Sequence, residues 1–368
     1  MGTSEWIVVI SVVGARLLLP LAIPYFPLVG IIACLILDAF DQVIFRQFKA
    51  IDLSGYQQYD KALDIYYLAI AFTATMRNWT SRPAFRTSQF LWFYRLVGVV
   101  AFELTQVRVI LLIFPNTFEY FFIFVEAVRL RWKQSHIGWW TAIVGAAIIW
   151  VFIKLPQEYW IHIGKWDTTT VIKTILTTPA LLIAVVGGAV LIVAAFYWGI
   201  KRNAPPGDHP FTLRADPLPP ECRGADLYRT ARVAEKLFDW ALAEKAVFLG
   251  LVSVIFAQIL PGVALSNFGV LIFVSVFVTI NALVSQAMAR RGRAWNSVAV
   301  ELGGMAIVNL VIVLLMQFFD RVVGIIDNPA PVGTTLFFVF LVTVLTVLFD
   351  RYRTILTARG VLERTSTT

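Results

Sequence analysis

A chain of 368 residues that is 59% hydrophobic and 15% charged, with a mean hydropathy of +0.76, lacks the polar surface a soluble fold must present to water. That composition excludes a water-soluble globular domain and implies an integral membrane protein. The net charge of +8 does not point to nucleic acid: its Arg and Lys fall in short connections between apolar runs, where topology and anionic headgroups account for them.

The apolar runs do not alternate in polarity, as in "TPALLIAVVGGAVLIVAAFYWGI", so a β-barrel is set aside. A helical span needs roughly 20 residues, and the pattern predicts an all-α fold, a polytopic transmembrane bundle of about 10–11 helices. Expected helices are 6–19, 22–45, 61–76, 90–113, 117–130, 138–155, 172–199, 227–260, 265–288, 298–318 and 333–350. Pro20, Pro24 and Pro27 split the first apolar stretch, and Pro115, Pro156 and Pro261 stand where helices are expected to end. No Lys or Arg precedes the run that opens at Trp6, so the charged start of a signal peptide is missing and the N-terminus is expected to be retained.

One long polar segment, 201–226, carries Pro205, Pro206, Pro210, Pro217, Pro219 and Pro220. It reads as a linker between an N-terminal membrane domain, 1–200, and a C-terminal one, 227–368, made of an amphipathic helix and about four spans. Positive charge at 201–202, 290–293 and 351–353 falls on one side of the second half, which puts the linker and the C-terminus in the cytoplasm; the expected location is the plasma (inner) membrane, as a multi-pass chain. The first third is ambiguous. If 117–130 spans, alternation puts the region from Asp38 to Asp64 outside, as Arg77, Arg82 and Arg86 favour; if it is re-entrant, that region is cytoplasmic.

That region, "DAFDQVIFRQFKAIDLSGYQQYDKALD", is the most informative stretch. Asp38 and Asp41 are three apart and Asp60 and Asp64 four apart, so each pair lies on one face of its helix. Four carboxylates from neighbouring helices are hard oxygen ligands suited to Mg2+ or Mn2+, with Ca2+ also fitting, and Arg46 and Lys49 follow closely enough to meet a phosphate. The plainer reading is that the acids pair with Arg46, Lys49, Lys61, Arg95 or Arg108 and hold the bundle together.

These residues resemble the CDP-alcohol phosphotransferases, membrane enzymes that displace CMP from a CDP-linked lipid or alcohol and carry the signature D-x2-D-G-x2-A-R-x8-9-G-x3-D-x3-D. Asp38, Asp41, Arg46, Gly55, Asp60 and Asp64 match it, whereas Gln42 and Phe45 stand at its Gly and Ala positions and one extra residue separates Gly55 from Asp60. Arg16, in "GARLLLPLAIP" ahead of the Asp38 helix, also looks like the family's N-terminal segment. The resemblance covers about residues 10–70. It implies metal ligands at Asp38, Asp41, Asp60 and Asp64, a base at Asp64, a phosphate clamp at Arg46, and a cytoplasmic site.

Further along, Arg95, Glu103, Gln106 and Arg108 lie in one apolar run, and Glu103 is expected near mid-helix. Glu103 is a candidate for a headgroup pocket with Arg108, or for a cation or proton path with the aspartates, with a packing ion pair as the alternative. Glu119 and Glu126, seven apart, are expected to face the membrane interface, and His162 to belong to an aromatic belt with Tyr159, Trp160 and Trp166. Three histidines and two separated cysteines make neither a zinc site nor a disulfide framework. Three function classes therefore stay open: a metal-dependent enzyme of phospholipid or isoprenoid-lipid headgroups, a transporter or channel, and a structural membrane subunit. Membrane lipids are the expected partners, nucleic acid is not, and a homo-oligomer is compatible with every reading.

Overall fold

The computed structural model describes residues 3–47, 53–164, 174, 177–183, 186–187, 205–222, 240–259, 267–290, 298–323 and 332–360. Among these, every regular element is helical, as the absence of alternation in the sequence requires. Helix α1, Thr3–Leu18, gives way to a 3-10 turn at Leu19–Ala22, where Pro20 cannot continue the α-helical hydrogen bonding. Pro27 then opens α2, Pro27–Gln47, at the one helical position where a missing N–H costs nothing.

Helix α3, Leu53–Asn78, returns antiparallel to α2, since its last residues Arg77 and Asn78 both donate to the Pro24 carbonyl (2.8 and 3.0 Å). Ser81 caps α4, Arg82–Thr105, by accepting from the Ala84 N–H at 3.2 Å. The helix expected over 90–113 is broken. Gln106 adopts a left-handed conformation (φ 57°), closes the last turn of α4 and folds its amide back on the Glu103 carbonyl at 2.9 Å. Glu103 is thus in a terminal turn and not at mid-helix.

A short α5, Val109–Ile113, and α6, Thr117–Arg129, follow on either side of Pro115. Helix α7, Trp139–Ile148, runs on through a π-turn at Ile149–Lys154, an α-turn at Leu155–Glu158 and a second π-turn at Tyr159–Gly164. Pro156 was expected to end this helix and does not, because the wider π-turn absorbs the hydrogen bond its ring cannot make. Past the polar segment come α8, Trp240–Ile259; α9, Asn267–Arg290; α10, Val298–Val323; and α11, Val332–Ala358. Most of the expected helix over 172–199, and the amphipathic stretch 227–239, lie outside the described residues.

Four of the segments, Val109–Arg129, Trp139–Glu158, Trp240–Ile259 and Val332–Ala358, are long and apolar enough to cross a membrane. Large apolar side chains such as Ile7, Ile10, Phe90, Trp140 and Phe152 point outward, as a lipid-facing surface requires. Inside, α11 lies along α3, and α8 packs on α3, α4 and α11, so residues from before and after the polar segment share one core. Phe72 stands 5.8 Å from Trp92 and 5.7 Å from Phe248, which stacks on Phe349 at 5.6 Å, joining four helices through rings.

The described part of the Pro-rich segment, 205–222, is a strap across the end of the bundle where α2 begins and α3 and α6 end. Arg129, itself paired with Glu126 at 2.7 Å, reaches the Arg214 carbonyl (3.0 Å) and Asp216 (3.1 Å). The Ala215 N–H donates to the Tyr25 carbonyl (2.8 Å), and Trp132 donates to the Pro205 carbonyl (2.9 Å). Asp208 accepts from the Lys133 N–H (2.9 Å) and meets His136 at 3.0 Å, while His209 meets Asp216 at 3.1 Å. Cys222 is buried beside Arg359. A run of prolines cannot form a helix, so its backbone groups are satisfied by side chains and by the ends of its neighbours.

Two outcomes follow from this packing. A Cβ on Gly98 would lie 2.1 Å from Phe114 Cβ, so Gly98→Ala should lower stability by about 1–3 kcal/mol, whereas at Gly14 a Cβ meets nothing and Gly14→Ala should gain about 0.5–1 kcal/mol; thermal unfolding in detergent measures both. The Lys133 N–H and the His136 imidazole hold the Asp208 carboxyl below its usual range. A depressed carboxylate stabilises the docked strap above its unfolded pKa of about 4 and loses that contribution as pH falls through the folded value, so protease cleavage within 205–222 should rise on acidification and Asp208→Asn should flatten the dependence.

Candidate functional site: an arginine among four aspartates

The last turn of α1 carries Arg16 into the gap between α2 and α3. Its guanidinium contacts all four aspartates at once: Nη2 meets Asp38 at 2.7 Å and also Asp64, and Nη1 meets Asp41 and Asp60. The helical spacing explains the convergence. Asp38 and Asp41 sit on one face of α2, Asp60 and Asp64 on one face of α3, and the antiparallel pairing of the helices brings the two faces to the same depth. Arg16 and Asp41 are buried, and side-chain exposure is 15% for Asp60, 32% for Asp38 and 37% for Asp64, so the cluster opens on the side of the last two.

Carboxylate oxygens of Asp38, Asp60 and Asp64 lie within 4.8 Å of one another, a spacing able to surround one metal ion. Asp41, expected with them, stands outside that trio and against Nη1 of Arg16. The extra residue between Gly55 and Asp60 falls inside α3, which begins at Leu53. It does not disturb the four acids; it turns Gly55 by about 100° relative to the Asp60 face. The side chains of Arg46, Gln42 and Phe45, the surroundings of Gly55, and Lys49 lie outside the described residues.

The other candidates are placed differently from expectation. Lys61, mostly exposed, pairs with Glu103 at 3.7 Å rather than with an aspartate, and Arg95 donates to the Phe114 carbonyl at 2.9 Å. Arg108 is exposed at the start of α5. Glu103 and Lys61 therefore form a pair of their own, Lys61 following Asp60 along α3.

Glu119 and Glu126 do not face the membrane interface. Both are buried in the bundle, because each has donors there that lipid cannot supply. Glu126 accepts from Trp79 (2.8 Å) and Arg129. Glu119 accepts from the Tyr67 hydroxyl and from Asn116 Nδ2 (3.0 Å), with Lys154 Nζ at 3.8 Å and in turn 4.0 Å over the Tyr120 ring. Glu158 reaches the Asn116 N–H at 3.4 Å. Tyr67 lies one turn past Asp64 on α3, so this second polar group adjoins the aspartates at the same depth. Lys154 and Glu158 owe their shared inward face to the i, i+4 spacing at the π-turns. The side chain of His162 lies outside the described residues.

Sequence reasoning overlooked Arg16 as the counter-ion of the aspartates. The signal was a lone arginine in a long apolar run, a residue a membrane bundle keeps only where it has a partner. No protein-family model matches the chain, and neither a curated protein nor a solved structure resembles it significantly.

Tyr67→Phe removes one donor from a buried carboxylate, and should cost about 1–3 kcal/mol of stability without altering the aspartate cluster; unfolding midpoints of the two proteins in the same detergent check this.

Proposed function

We propose that this is a multi-pass inner (plasma) membrane protein whose aspartate cluster binds a divalent cation, Mg2+ or Mn2+, for chemistry on a phosphate-bearing lipid headgroup, in line with its resemblance to CDP-alcohol phosphotransferases. The observation that carries the reading is the convergence of Asp38, Asp60 and Asp64 from two helices within one coordination distance. The donor set fits: three hard carboxylate oxygens close enough together to surround one ion. Bound there, such an ion would supply charge neutralisation for a phosphate leaving group.

The chain's own residues take defined parts in this reading. Asp64, the most open of the four, is the group able to accept a proton from an attacking hydroxyl. Lys61, paired with Glu103 at 3.7 Å, and Arg108, at the start of α5, present exposed cationic heads that suit an anionic headgroup. Arg46 belongs to the same proposal through its place in the motif.

Orientation narrows the substrate. The strap end carries Arg77, Arg82, Arg86, Arg131, Lys133 and Arg214, so by the bias of basic residues it is cytoplasmic, as are the linker and C-terminus. Along α2 and α3 the aspartates lie roughly 16 to 27 Å from that end, at 1.5 Å per residue. They then sit in the half of the bilayer away from the cytoplasm, contrary to the cytoplasmic site that the resemblance implies, and this favours a phosphate carried on a phospholipid or isoprenoid lipid over a soluble nucleotide. A cation or proton path is the second reading, and the buried Tyr67, Glu119 and Lys154 group beside Asp64 is what favours it.

Mn2+ binding to the purified chain, followed by electron paramagnetic resonance, tests the assignment against an Asp60→Asn, Asp64→Asn double variant. Saturable binding lost in the variant is the expected result. Saturable binding that survives the double substitution overturns the site, and ion flux into vesicles without turnover of lipid phosphate would favour the path.

A further inference from the structure

We infer that Arg16 is an autoinhibitory counter-ion: its guanidinium holds the cation position among the four aspartates, and α1 must withdraw it before a divalent cation enters. The inference rests on the cation-site reading above and adds its regulation.

An arginine does not lose its proton in a protein, so the position cannot be cleared by titration. A divalent ion within a few ångströms of a guanidinium in an apolar surround is strongly repelled, so the two cannot share the trio of Asp38, Asp60 and Asp64. Nη1 lies on the deep side, against Asp41 and Asp60, and Nη2 on the open side, against Asp38 and Asp64. One side chain therefore spans the cluster from its floor to its mouth, and only its removal frees the oxygens.

The helix that carries it is built lightly enough to move. Among the described residues of α1 only Val12 and Arg16 are buried, while Ile7, Ile10 and Leu18 point outward and a Cβ on Gly14 would touch nothing. Among the described side chains of α1, the ion contacts of Arg16 are thus the main polar anchor, together with the Tyr66 hydroxyl on the Leu17 carbonyl at 3.2 Å. Directly after Leu18 the axis passes into the Pro20 turn, where the α-helical ladder is interrupted and a change of direction strains few hydrogen bonds. Release of Arg16 therefore moves a short apolar helix against lipid and leaves the core around Phe72 and Trp92 in place.

The test is Mn2+ affinity of the full chain in three forms: wild type, Arg16→Gln and Arg16→Lys. Arg16→Gln is expected to bind Mn2+ at least about tenfold more tightly than wild type, and Arg16→Lys to fall between, because a single ammonium cannot bridge four carboxylates. Arg16→Lys keeps a cation in the cluster and so decides the matter if Arg16→Gln does not fold. A silent wild type with binding in either variant supports the inference most directly. Equal or weaker binding by the folded variants, with wild-type binding intact, overturns it and makes Arg16 a scaffold while the cation site stands. Absence of saturable binding in all three forms overturns both.

Discussion

A charge inside an apolar bundle must be paired, and the contact of Arg16 with Asp38, Asp41, Asp60 and Asp64 is where this protein meets that constraint most severely. The contact ties α1 to both arms of the α2 and α3 hairpin. It fixes the rotation of each helix about its axis, because a turn of one residue would carry a carboxylate pair about 100° away from the guanidinium. Three of the four acids bring oxygens close enough together to surround one ion, and this is what makes the cluster a candidate cation site and not merely a clasp.

The same constraint organises the rest of the polar interior. Glu119, Lys154, Asn116 and Glu158 contact one another beside the aspartates, and Glu126, Arg129 and Asp216 do so at the strap end. In the second half, Arg353 meets Glu244 at 2.9 Å, Lys245 meets Asp350 at 2.8 Å and Arg351 meets Glu301 at 3.1 Å, which locks α8, α10 and α11 together. Between these layers the packing is aromatic and aliphatic. Two polar levels separated by an apolar one give the bundle a defined vertical register, which apolar packing between helices in lipid does not by itself impose.

The strap bears on how the halves are related. A proline-rich segment with many polar residues suggests a loose connection, and here residues 205–222 are held by bonds with Tyr25, Arg129, Trp132 and Lys133. With Phe248 and Phe349 stacked into the ring cluster of the first half, the strap crosses the end of a shared core. Movement of α1 therefore does not require the two halves to part.

Composition and periodicity alone determined that the chain is helical and suited to a membrane, that prolines divide its first apolar stretch, and that the aspartates pair by face, because each of these depends on local spacing and on transfer from water to lipid. Tertiary structure decided what local spacing cannot carry. Arg16 lies 22 residues before Asp38 and 48 before Asp64, so its role as their common partner exists only once three helices are packed. The inward turn of Glu119 and Glu126 depended likewise on distant donors at Tyr67, Lys154 and Trp79. The break at Gln106 and the passage of a helix through Pro156 depended on whether neighbouring elements absorb a lost backbone hydrogen bond. Pairing of buried charge is a long-range property, so a sequence announces which residues need partners and the fold alone selects them.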